Sequence, residues 1–521
     1  MIDLDAIATL ADIPRAQARA RGQQAAIVFE DEALSYAELD RRSNQVANAL
    51  IAAGVGPGAR LSVLTKNHPR WYELFFGAAK ARTCLAPINS RLAAAEIAFV
   101  LEDAGPDILF VGEDFFDLAE AALAGLERRP RLIALTGERA GFEPYATWRD
   151  AAPASDPALG EQPSDDVLQL YTSGTTGRPK GVVLTNRNYR RFMEMAEEVE
   201  GFAYAPGERV MIVMPLFHVA GTNVSFAGLA QSGSIVLMKD FVPTQALALI
   251  EAQGVAHTFL APAMILMLLQ TPQIEQTRLS SLRSIAYGAS PISEDVLRRA
   301  QARFGCGFIQ FYGMTESTGA GTVLSPAAHE IPGKLRSCGR AWPDVEVAVL
   351  DLEGRPVGEG EVGEIAIRGD IVMDRYWNRP DATGETVRDA WLFTGDAGYF
   401  DADGFLYIHD RLKDMIVTGG ENVYPAEVEN ALFGCPGVAD VAVIGVPSER
   451  WGEEVKAVVV PRGDVDLEPQ AVIAWAKARI AGYKAPKSVD FIDALPRNPS
   501  GKVLRRELRK PYWEGRDRAV S

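Results

Sequence analysis

A chain of 521 residues, 47% apolar and 23% charged, can bury a sizeable core, which excludes a disordered chain, a collagen and a coiled coil. At roughly 150 residues per domain, the length allows about three units, or one large unit and a small one. Its 53 Lys and Arg against 69 Asp and Glu leave a net charge of −16, which argues against general nucleic-acid binding but allows a local basic site for an anion.

The N-terminus is acidic and lacks an apolar h-region, so no signal peptide is expected. Ser35 followed by Glu38 suggests a capping box before a helix carrying Leu39, Val46 and Leu50 on one face. Arg60–Thr65 and Ile108–Val111 read as buried strands, and the strand–helix alternation over residues 1–160 implies layered α/β architecture. From about residue 165 to 400, strand-length apolar runs recur between Gly and Pro: Val167–Tyr171, Val210–Met214, Ile235–Met238, Leu282–Tyr287, Val345–Leu350 and Glu364–Arg368. The longest apolar stretch, Val255–Leu269, is interrupted by His257, Thr258 and Pro262 and is shorter than the ~20 residues of a membrane span. Past Asp410 the texture changes. The charged segment Arg411–Asp414 precedes a helix (Ala426–Phe433), two strands (Val438–Gly445, Val455–Pro461) and a second helix (Pro469–Ile480). The expected fold is α/β: a large layered N-terminal domain with mixed sheets and helices (1–410), a connection at 411–414, and a small α+β C-terminal domain (415–521). Cys84, Cys306, Cys338 and Cys435 form no CxxC pair, the pattern of a reduced, cytoplasmic protein.

Several motifs carry chemistry. In the segment Tyr171–Gly181, Gly174 and Gly177 permit a tight turn that brings N–H groups to a ligand. Ser173, Thr175 and Thr176 add hydroxyls and Lys180 a positive charge, which suits a polyphosphate. It is not a Walker A loop, because Pro179 stands where the second Gly would be. A plain Gly/Ser/Thr surface turn is the other reading. In Gln310–Glu316 an aromatic can stack on a base, a Thr can contact a phosphate, and a carboxylate can hold Mg²⁺ with that phosphate. Asp396, after Thr394-Gly395, can accept two ribose hydroxyls. Each of these also reads as an ordinary turn. Pro499-Ser500-Gly501 presents Lys502 among Arg505, Arg506, Arg509 and Lys510. No GxSxG elbow is present, which sets aside a Ser/His/Asp hydrolase. The five histidines form no metal-ligand cluster.

In their joint order these motifs resemble the adenylate-forming superfamily, which includes acyl-CoA synthetases, the adenylation domains of peptide synthetases and firefly luciferase. The resemblance runs from about Tyr36 to Arg509, and Lys413–Glu429 is most similar to the fatty-acyl and aryl CoA ligase branch. It implies two half-reactions: a carboxylate attacks the α-phosphate of ATP, giving acyl-AMP and pyrophosphate, and the CoA thiol then displaces AMP. It also implies roles. Thr172, Ser173, Gly174, Thr175, Thr176, Gly177 and Lys180 hold the β- and γ-phosphates. Thr315 contacts the α-phosphate and Glu316 supports Mg²⁺. Gly288, Ala289, Ser290 and Tyr312 sandwich adenine, and Gln310 and Gly313 belong to the same nucleotide set. Asp396, with Arg411 beside it, binds ribose. Lys502 bridges the attacking carboxylate and the α-phosphate. The small domain is mobile, rotating about Lys413 to present Gly419 and Gly420 to CoA.

By the same resemblance His218 gates or orients the acid, a satisfied core histidine being the other reading. Val219, Ala220, Gly221, Ala286, Gly313, Gly319 and Ala320 would line a dry acyl slot. No Asp stands at 217–219 to bind an ammonium, and Ala220 replaces the Tyr of plant hydroxycinnamate ligases. The expected activity is ATP-dependent ligation of a medium- or long-chain fatty acid to CoA. An aromatic acid of the cinnamate or benzoate kind, transfer to a carrier protein, and non-catalytic binding stay open. The expected partners are a small carboxylic acid, ATP and CoA, with no nucleic acid and no transmembrane segment; a homo-oligomer is compatible with all of this.

Overall fold

The computed structural model describes residues 6–172, 179–290, 292–351, 353–411, 414–418, 421–448, 450–463, 467–497 and 502–514. Ser173, Gly174, Thr175, Thr176, Gly177, Lys413, Gly419, Gly420 and the Pro499–Gly501 turn lie outside the described residues, as does the Arg411 side chain.

Four sheets organise the described residues. Two are large, of nine and eight strands, parallel through their middles and antiparallel at an edge. Parallel pairing needs crossovers, and helices supply them, burying the strands on both faces. Continuous apolar runs follow: all of Ile108–Val111 is buried, as is all of Arg60–Leu64. Between the sheets, helix Pro69–Lys80 meets helix Val219–Ala230, with Phe75 stacked on Phe226 at 4.4 Å between ring centroids. Every residue of Val219–Ala230 except Ala220 is buried. That helix therefore shows no apolar stripe, because it has no solvent face.

A third, five-stranded antiparallel sheet holds Trp391–Phe400, which carries Asp396, between Gly363–Arg368 and Leu406–Arg411. The fourth sheet contains only strands beyond residue 415 and has its own core, built around Val428, Leu432, Val443 and Val472. No helix among the described residues is long and apolar enough to cross a membrane.

The expected capping box is half formed. Ser35 Oγ accepts the Glu38 N–H at 3.2 Å and starts helix Tyr36–Ala52. The Glu38 carboxylate goes instead to Arg41 and Arg42, each at 2.7 Å. A charge-assisted pair is stronger than a bond to a neutral backbone amide.

Candidate active site

Most of the site residues stand where parallel strands end, the usual place for a ligand crevice in α/β sheets. Strand Asp166–Thr172 runs into antiparallel strand Lys180–Thr185, and Thr172 faces Lys180 in register. The two therefore mark the mouth of the Gly-rich loop. Glu316, on the 3-10 turn Thr315–Ser317, is buried beside them. Its Oε1 accepts from Tyr376 Oη at 2.7 Å and from Thr172 Oγ1 at 3.5 Å. Lys180 Nζ sits 4.8 Å from the centre of the Tyr376 ring. Tyr376 escapes sequence reasoning because its motif neighbours are ordinary and its partner Glu316 is 60 positions away.

Strands Ser284–Gly288 and Gly307–Tyr312 are parallel neighbours, pairing Gly288 with Phe311. Past them lie Ala289, which turns the chain at φ +66°, and Gly313. Tyr312 Oη donates to Asp396 Oδ2 at 3.0 Å. Burial, and then the Asp396 charge, push the Tyr312 hydroxyl well above its ordinary pKa, so it stays a donor. Asp396 is itself buried, and its backbone pairs with that of Arg411. Gln310 lies at the edge of the set, its Nε2 3.7 Å from Cys338 Sγ. Ser290 is half-buried just past the turn. Lys502 is half-buried and immediately precedes Val503, whose backbone bridges to Arg497.

His218 caps helix Val219–Ala230. Its Nδ1 accepts the Ala220 N–H at 3.2 Å, which leaves the ring proton on Nε2. Burial lowers its pKa to about 4, so the ring is neutral. It heads a slot lined by Val219, Ala220, Gly313 and Gly319, expected there from sequence, by Ala289, expected at adenine, and by Asn223, Val224, Phe192, Phe202, Phe259 and Phe311. Gly313 and Gly319 approach so closely that a Cβ on Gly313 would stand 2.5 Å from the Gly319 carbonyl. Asn223 Nδ2 donates to Thr318 O at 2.7 Å, while its buried Oδ1 has no hydrogen-bond partner among the described residues.

Three expected lining residues do not line this slot. Gly221 lies one helical step from Ala220 and faces the preceding backbone, where a Cβ would stand 2.8 Å from the Met214 carbonyl oxygen. Ala286 and Ala320 are buried away from the slot surface. Asn223 and Val224 were findable: they follow Ala220 by three and four positions, hence share its helix face. The four phenylalanines come from separate elements and leave no local signature.

The comparisons with known proteins extend along the same residues. The AMP-binding enzyme family matches residues 14–377, and the AMP-binding enzyme C-terminal domain matches residues 427–502. The chain is similar to ScoC, a fatty acid–acyl-carrier-protein ligase of Streptomyces coeruleorubidus, at 40% identity over 95% of each chain. It is similar to a feruloyl-CoA synthase of an Amycolatopsis species at 39% identity, over 96% of this chain and 98% of that one. Among solved structures, ATP-bound MatB from Rhodopseudomonas palustris matches with TM-score 0.88 at 30% identity, covering 97% of this chain and 99% of that one. With the match running through most of its length, the chain belongs to the AMP-binding enzyme family.

Proposed function

We propose that this enzyme is an AMP-forming acid–CoA ligase whose acid carries an uncharged tail, a fatty or an aryl acid. The observation that carries the reading is continuity: Ala289 and Gly313 line the slot and directly follow Gly288 and Tyr312, the residues expected at adenine. An acid seated in the slot thus presents its carboxylate beside the nucleotide.

Adenylation brings two anions together, so donors must await the charge where it develops. Lys180 faces the loop that takes the β- and γ-phosphates, and the neutral His218 offers Nε2–H to the acid. Lys502 comes from the C-terminal domain, residues 415–521, which we take to turn about Lys413 and bring Gly419 and Gly420 to CoA in the second step. Mg²⁺ fits this site. Among the described residues no cluster of three or more His, Cys, Asp or Glu could hold a metal, but both hydrogen bonds between Glu316 and described side chains fall on Oε1, which leaves Oε2 to face an ion. One carboxylate together with substrate phosphates is a common Mg²⁺ arrangement, and the ion would neutralise phosphate charge. Four free cysteines suit a cytoplasmic enzyme.

One observation favours an aryl acid. A buried acceptor without a partner costs stability until a ligand supplies a donor. Asn223 lines a slot walled by four phenylalanines, and a ring bearing a hydroxyl or amino group answers both features. The test is a panel of fatty, benzoic and cinnamic acids with ATP and CoA, with thioester detected by mass. The reading predicts acyl-CoA and AMP, and an Asn223→Leu enzyme that loses its preference for hydroxylated rings. Pyrophosphate released with an acid, but acyl transfer only to a carrier protein, would overturn CoA as acceptor.

A further inference from the structure

The carboxylate expected at the metal and the ammonium expected at the phosphates share one neighbour. Among the described residues, both bonds to the Glu316 side chain fall on Oε1, from Tyr376 Oη at 2.7 Å and Thr172 Oγ1 at 3.5 Å. Oε2 is therefore the oxygen left to face a ligand. The ring of the same tyrosine lies under Lys180, with Nζ 4.8 Å from its centroid, close enough for a cation–π attraction. Thr172 and Lys180 are themselves cross-strand partners. Glu316 and Lys180, two groups at the mouth of the phosphate loop, thus meet on one side chain, which is only 5% exposed.

The segment that carries Tyr376 has little freedom. Its backbone pairs with Val182, and the flanking Trp377 N–H donates to Gly181 O at 2.7 Å. Trp377 donates through Nε1 to Asp103 O at 3.0 Å and lies under the Arg60 guanidinium at 3.5 Å. On the other side, the Met373 N–H donates to the Glu316 carbonyl at 2.7 Å. The tyrosine is thereby tied both to the strand that bears Lys180 and to the turn that bears Glu316.

On the reading above that ATP and Mg²⁺ bind here, we propose that Tyr376 is a positioning residue for adenylation. Its hydroxyl holds Glu316 by Oε1 so that Oε2 faces the metal, and its ring face seats Lys180 toward the phosphates. It touches neither substrate and acts through these two groups.

Two variants separate the roles. Tyr376→Phe removes the hydroxyl and keeps the ring; Tyr376→Leu removes both. ATP binding is measured by calorimetry over a range of Mg²⁺ concentrations and again in EDTA, with the melting temperature recorded alongside. The Phe variant should need about tenfold more Mg²⁺ for half-maximal ATP binding, as expected for a lost hydrogen bond to a charged group. In EDTA it should bind ATP like the wild type, because Lys180 keeps its ring. The Leu variant should bind ATP about threefold or more weakly in EDTA as well. A Phe variant with the wild-type Mg²⁺ requirement overturns the inference. So does one whose EDTA binding and melting temperature fall together, since that marks plain structural damage. A wild-type enzyme that binds no ATP overturns the functional reading, and the inference with it.

Discussion

His218 accepts the Ala220 N–H on Nδ1 at 3.2 Å, and that bond places the imidazole proton on Nε2. One residue thus starts the slot helix and supplies a neutral donor at the slot's head, its pKa held near 4 by burial. Acid-dependent pyrophosphate release should show no His218 inflection between pH 5.5 and 8. His218→Ala should lose about ten- to a hundredfold in kcat/KM for the acid, as expected for a hydrogen bond to a charged group. His218→Gln, which can keep an N–H at similar reach, should retain most of it. An inflection near pH 6.5 that disappears in His218→Ala would contradict a neutral donor.

His68 is the second histidine whose pKa burial lowers to about 4, and it too caps a helix through Nδ1. Both rings bind a proton more readily in the unfolded chain, near pH 6.5, than in the folded one. The unfolded state therefore takes up more protons in that interval. Their contribution to stability is complete above about pH 7 and is lost as pH falls from about 6.5 toward 4. Melting temperature followed from pH 8 to 4.5 should show this fall, and His68→Gln should make it shallower. An equal slope in wild type and variant would remove His68 from the account.

Gly221 and Ala220 should respond in opposite ways. A Cβ at 221 meets the Met214 carbonyl oxygen at 2.8 Å, so Gly221→Ala should lower the melting temperature and leave acid preference unchanged. Ala220 is the one residue of its helix that is not buried, and it lines the slot. Ala220→Leu should shift kcat/KM toward smaller acids by about tenfold, the shallow discrimination an apolar pocket permits. The check is kcat/KM across acids of increasing size. A size shift in Gly221→Ala alone would invert the assignment.

How far the sequence shows this site depends on distance along the chain. Thr172, Lys180, Glu316 and Asp396 stand in contiguous motifs, which point to phosphate, metal and ribose chemistry once their order along the chain is considered together. Strand Ile108–Val111 is readable because two buried faces make an unbroken apolar run. Helix Val219–Ala230 is not, because burial on every side erases the 3.6-residue period. Gly221 reads as slot lining only while the helix phase is unknown. Phe192, Phe202, Phe259 and Phe311 converge from different elements, and Tyr376 reaches Glu316 across 60 positions. Such pairings are set by the sheets, and no local spacing records them.

Lys502→Ala should abolish adenylation while sparing thioester formation from supplied acyl-AMP. Losing one preorganised charge contact costs about 10²–10³ in rate. Separate assays of pyrophosphate release and of acyl-AMP conversion to acyl-CoA check this. Equal loss in both half-reactions would take Lys502 out of the first step.

The acyl-adenylate is tested most directly by the fate of the acid's oxygen. The best acid of the panel is labelled with oxygen-18 in its carboxylate and turned over with ATP and CoA. If the carboxylate attacks the α-phosphate and the thiol then displaces AMP, one labelled oxygen must leave with AMP as acyl-CoA forms. The account predicts singly labelled AMP in step with thioester. Unlabelled AMP, or ADP and phosphate as the products, would contradict it.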